Sequence, residues 1–137
     1  MPNLVEYAGD STKQFLLPIK TEQEFIELDG RLSDENVFSD LLATLASVGG
    51  NGSKKICLGI MKKLMSKDMC LQFSALGKKN KRNFSGYKLF NVVFEAVKYH
   101  YPDSSEYQIT KDISSVLASA GDWDGGRKKR QNDVAEH

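Results

Sequence analysis

Leu89-Phe90-Asn91-Val92-Val93-Phe94-Glu95-Ala96-Val97-Lys98-Tyr99-His100-Tyr101-Pro102 decides the fold class. Leu89, Phe90, Val93, Phe94, Val97 and Tyr101 recur at spacings of three and four, the period that lines one side of an α-helix. Pro102 stops the pattern, because proline has no amide proton to donate and its ring excludes the next helical turn. The spacing predicts a central core helix whose aromatics each bury on the order of 150 Å² or more when enclosed.

The same period appears on both sides of this stretch. Thr21-Glu22-Gln23-Glu24 has the Ser/Thr-x-x-Glu form in which a hydroxyl and a carboxylate satisfy the first free amides of a helix. Phe25, Ile26, Leu28 and Leu32 would be the inner stripe of that helix, and Glu22, Glu24, Glu27 and Asp29 its wet face. Phe15-Leu16-Leu17-Pro18-Ile19 before it reads as an arm laid across the core. Ser33 is placed to cap a second helix carrying Val37, Phe38, Leu41, Leu42, Leu45 and Val48. Gly49-Gly50-Asn51-Gly52 reads as its stop and a turn, since the Gly-Lys-Ser/Thr order of a nucleotide loop is missing. Ile56, Ile60, Met61 and Leu64 predict a third helix. Ser66 would cap a short fourth one running through Met69, Cys70, Leu71 and Phe73. After the core helix, Asp103 to Ile109 reads as a connection, Thr110 as a cap, and Ile113, Val116, Leu117 and Ala120 as a last helix stopped by Gly121. The expected fold is all-α, a single compact bundle of about five to six helices over residues 15–121. Residues 1–14 read as a flexible lead-in and 122–137 as a disordered basic tail.

Charge is segregated along the chain. Residues 51–100 hold eleven of the nineteen Lys and Arg and two of the eighteen acids, a local charge of about +9 inside a chain whose net charge is +1. The cheapest explanation is a basic face turned toward a polyanion, although lysines that only solvate outer helix faces would give the same count. Lys78, Lys79, Lys81 and Arg82 follow a turn glycine, so they are the leading phosphate contacts, with Lys54 and Lys55 at a helix start as a second anchor. Asn80 and Asn83 carry amides able to read a base edge, and loop polarity alone also accounts for them. If six phosphates were neutralised, the slope of binding against log salt would be roughly −5. The run Arg127-Lys128-Lys129-Arg130 suits either a nuclear-localisation signal or a second nucleic-acid contact.

Other classes lack support. Cys57 and Cys70, with two scattered histidines, match no zinc spacing and read as small apolar core residues. No catalytic signature is present, and no cofactor, metal, membrane or small-molecule substrate is expected; the chain is read as a non-enzyme. Location in the nucleus is expected, with the cytoplasm as the other possibility.

Phe15 to Phe25, then Val48-Gly49-Gly50, then Leu64-Met65-Ser66-Lys67-Asp68-Met69-Cys70-Leu71-Gln72-Phe73-Ser74-Ala75-Leu76-Gly77-Lys78-Lys79, then Phe84, Leu89-Phe90, Val92-Val93 and the Thr110 to Ala120 segment carry a resemblance. Together they resemble an uncharacterised all-helical animal domain family of unknown function, found in transposon-derived and chromatin-associated proteins. This chain has Ala75-Leu76-Gly77 where that family often places a Trp before the glycine. More distantly, Leu64 to Arg82 followed by the Leu89 to Val97 helix is similar in layout to the BEN domain, which binds DNA or partner proteins. The resemblance agrees with the charge pattern, and together they lead to the expectation of a helical DNA-binding module linked to chromatin and transcription or of transposon origin. The other reading is a protein-interaction or self-association module, in which the acidic first half of one copy meets the basic middle of another or of a chromatin partner.

Overall fold

The computed structural model describes residues 15–78 and 80–123; the expectations for residues 1–14, for the tail from 124 onward and for the 127–130 run lie outside them. Six α-helices are present among the described residues: α1 (Glu22–Arg31), α2 (Glu35–Ala46), α3 (Ser53–Leu64), α4 (Lys67–Cys70), α5 (Lys88–His100) and α6 (Glu106–Ala118). The fold is all-α, as the periodicity predicts. α5 is its centre and packs on α2, α3 and α6, while α3 and α6 lie against each other. The inner face of α5 is wider than the predicted stripe: Val92 and Ala96 are fully buried, and Phe94 and Tyr101 only partly.

Local signals account for most helix starts. Thr21 Oγ1 accepts from the Glu24 amide at 3.1 Å, and the Glu24 carboxylate accepts from the Lys20 amide at 2.9 Å. Ser66 caps α4 through the Met69 amide at 3.2 Å. Two caps differ from the sequence reading. Asp34, not Ser33, caps α2 through the Asn36 amide at 2.8 Å, because its carboxylate combines a cap acceptor with a negative charge at the positive end of the helix. α6 begins one turn earlier than Thr110 would place it: Ser105 caps it through the Gln108 amide at 3.0 Å. The overlooked signal was Ser105-Glu106-Tyr107-Gln108, another Ser-x-x-Gln capping pattern.

Phe73 is not helical. β1 (Phe73–Ser74) pairs in parallel with β2 (Arg82–Asn83), two residues each, with Phe73 opposite Arg82 and Ser74 opposite Asn83. A 3-10 turn, Phe84–Gly86, leads from β2 into α5. The Phe15 to Ile19 arm is stitched down by two further backbone bonds, Ile19 N to Leu64 O and Ser66 N to Ile19 O, both 2.8 Å. At the other end Trp123 packs on the core, two residues past the expected boundary.

Asp29 was expected on the wet face of α1. Its carboxylate instead accepts from the Leu89 amide at 2.9 Å, capping α5 from a different helix. The residue before α5, Tyr87, supplies no side-chain cap. Replacing Asp29 with Ala should cost about 1 kcal/mol, read as a lower urea midpoint at unchanged slope, whereas Asp29→Asn should retain most of the stability.

Both cysteines are buried, and burial pushes each thiol from 9.0 to about 12. For Cys57 the neighbouring Asp112 carboxylate adds to the rise. Because the folded values lie above the unfolded one, both thiols stay protonated without cost below pH 9.0, and stability falls as pH climbs from there toward about 12. At pH 8 a thiol reagent should therefore titrate both cysteines in denaturant and modify neither in the native protein faster than it unfolds.

Candidate nucleic-acid interface

The loop between Ser74 and Arg82 is held at its neck. Arg82 N donates to Gln72 O at 2.9 Å and Ser85 N to Ala75 O at 3.1 Å. Inside the neck, Lys78 N donates to Ser74 Oγ at 2.6 Å and Lys81 N to Lys78 O at 3.0 Å. Gly77 has φ +78°, and a Cβ there would sit 3.2 Å from that of Asn83, so the tight approach of the two sides of the loop calls for glycine. Asn80 takes φ +63°, a left-handed conformation that asparagine tolerates better than most residues.

Seven of the eight candidate contacts are described, and they divide into three groups. Lys78 and Asn80 are exposed and Lys81 half-exposed, all on this loop. Lys79 lies outside the described residues.

Arg82 and Asn83 serve the fold. The Arg82 guanidinium forms a two-pronged ion pair with Glu22, donates to Tyr87 Oη at 3.0 Å and lies over the Phe73 ring at 4.6 Å. These contacts, led by the bond to Glu22, raise its pKa above the ordinary arginine value. A phosphate would have to compete with Glu22 for it. Asn83 Oδ1 accepts from the Ser85 amide at 3.1 Å and from Ser85 Oγ at 2.7 Å. That side chain caps the 3-10 turn.

Lys54 and Lys55 are exposed in the first turn of α3, at the opposite end of the bundle. Gly52 N bonds Tyr101 Oη at 3.0 Å, which fixes the start of α3 beside the end of α5. The far end of α3 meets the arm at Ile19, and the loop neck lies by the start of α5. The two lysine sets are thus about one α3 length apart, roughly 18 Å. They do not converge on one point, as a single anchor would need.

α3 itself spans the gap. Ile56, Cys57, Ile60, Met61 and Leu64 face inward, so at 100° per residue Lys55 and Lys62, seven apart, stand together on the opposite face. Lys62 is exposed, and Lys63 and Lys67 half-exposed, at the loop end of this helix. Lys62 and Lys63 stand outside the candidate set although the helical period that predicts α3 suffices to find them, whereas Lys67 opens α4. At the start of α3, buried Asp112 accepts from Ser53 Oγ at 2.8 Å and from Gln108 Nε2 at 3.0 Å, so a carboxylate already complements the positive end of the helix.

Among the described residues the lysines of this segment form no salt bridge. No group of three or more His, Cys, Asp or Glu among them could hold a metal, and no helix among them is long and apolar enough to cross a membrane.

Fold and surface together define an all-helical domain with lysines on the loop before α5 and on the outer face of α3. Residues 11–97, more than half of the chain, match the family described as Domain of unknown function (DUF4806), and the chain belongs to that family. The match ends within α5, although α6 shares the same core. No curated protein and no solved structure matches the chain.

Proposed function

We propose that this domain is a helical DNA-binding module, linked to chromatin or of transposon origin and BEN-like in layout, that grips the phosphate backbone through Lys78 and Lys81 at one end and the α3 lysines along its flank. The observation that carries this reading is cations left without an acidic partner among the described residues, in a segment with no acid at all between Asp68 and Glu95. Phosphate contacts supply sequence-independent affinity and make it salt-dependent. The separation of Lys54 and Lys55 from the loop favours a duplex lying along α3 over one pinned at a single spot.

Anisotropy titration of a fluorescent duplex at two salt concentrations tests the reading. Lys78→Ala with Lys81→Ala should weaken binding about tenfold and reduce the magnitude of the salt slope by roughly 2. Arg82→Lys should leave the slope nearly unchanged. No binding at low salt, or a slope indifferent to the loop lysines, would remove the proposal. Sedimentation without DNA provides the contrast, since salt-sensitive self-association would favour the interaction-module reading. The acidic first half needed for that reading is depleted by internal bonds at Glu22, Glu24, Asp29 and Asp34.

A further inference from the structure

Leu76 is out of place on grounds of burial. Ala75, immediately before it, is fully buried, yet the leucine side chain is 57% exposed on the loop, where Lys78, two residues on, is exposed and Lys81 half-exposed. The loop is anchored at both of its ends. Its sides are clamped by the β1–β2 pair, by Ser85 N to Ala75 O at 3.1 Å and by Lys78 N to Ser74 Oγ at 2.6 Å. The aromatic floor under the clamp ties it to the core: Phe73 is fully buried and contacts Phe25, Phe84 and Tyr87 at centroid distances of 5.0, 5.6 and 5.8 Å. An exposed apolar side chain close in sequence to exposed lysines, on a loop anchored at both ends and in a stretch without a carboxylate, fits a partner that offers negative charge around an apolar slot.

A DNA base step offers both: phosphates on either side and stacked base faces between them. Proteins that bend DNA insert a single leucine or similar residue between base pairs in this way, prying the step open and kinking the duplex. An anionic membrane fits less well, because one leucine buries far less apolar area than the acyl chain that by itself gives only marginal attachment. Resting on the DNA reading above, we infer that Leu76 is a wedge that unstacks a base step, so that the domain favours DNA that is easily kinked, such as duplex with a mismatch, over an intact helix of the same length.

The test uses the full chain and matched duplexes, intact or with a central mismatch, carrying 2-aminopurine at the step, whose fluorescence rises on unstacking. The wild type should bind the mismatched duplex about tenfold more tightly than the intact one and brighten the probe. Leu76→Ala, a change at an exposed site, should abolish the preference and the brightening while keeping affinity for intact duplex and its salt slope. Leu76→Met should retain both effects. Equal affinity for both duplexes with a silent probe would overturn the wedge and leave the DNA reading standing. No binding to either duplex would overturn both. Leu76-dependent binding to phosphatidylserine vesicles in place of DNA would overturn the wedge in favour of a membrane contact.

Discussion

Phe73→Ala is expected to cost about 3–5 kcal/mol, the largest single effect in the domain. The side chain is fully buried in a two-residue strand rather than a helix. It stacks on Phe25 at 5.0 Å, meets Phe84 and Tyr87 edge to face, and supplies the surface under the Arg82 guanidinium. Truncation therefore leaves a cavity, removes the aromatic contacts and takes away the platform of the cation. Small domains have about 5–15 kcal/mol of stability in all, so most of it would be lost, and urea unfolding should show the midpoint collapsing. Phe73→Leu, which keeps much of the volume, should cost clearly less. A loss below about 1 kcal/mol for the alanine variant would mean that the aromatic floor lies outside the cooperative core.

Gly59→Val is the second large effect, expected at about 2–3 kcal/mol. An exposed helical glycine normally gains stability when given a side chain, by about 1 kcal/mol toward Ala. Gly59 is different because a Cβ there would lie 2.6 Å from Val48 Cγ1, closer than real contacts permit. Val48 follows α2 and folds over α3 just before the Gly49 to Gly52 turn, and its branched side chain has few ways to retreat. The turn would have to lift. Val48→Ala in the same chain should recover most of the loss, a coupling that a simple propensity effect would not produce. A Gly59→Val protein as stable as the wild type would show that the α2–α3 connection is not packed on the helix.

The legible part of the candidate interface was its charge, and the illegible part was its employment. Lys78 and Lys81 could be picked from a glycine followed by bases, and the first is exposed and the second half-exposed on the loop. Arg82, in the same run, carried no textual mark distinguishing it from them, yet it is the residue bound to Glu22 across sixty positions of sequence. Lys62 and Lys63 were legible and overlooked, since the period of α3 already placed Lys62 opposite its apolar face. Leu76 carries no mark in the sequence that sets it apart from a core leucine. Its meaning depends on the neck beneath it being closed.

Helix identity and most helix starts were written locally, because capping and the three-to-four spacing of apolar residues act within one or two turns of the chain. The all-α class, the core role of α5 and the turn at Gly49 to Gly52 follow from that short range. What only the folded chain decided are the contacts between distant segments: Asp29 capping α5 from sixty residues away, Arg82 captured by Glu22, and Phe73 drawn out of a helix into an aromatic floor. A charge or a ring in the sequence states what it can bind. Which of its possible partners it meets is fixed by packing, because close packing satisfies buried groups first and leaves for an outside ligand only those that no neighbour has claimed.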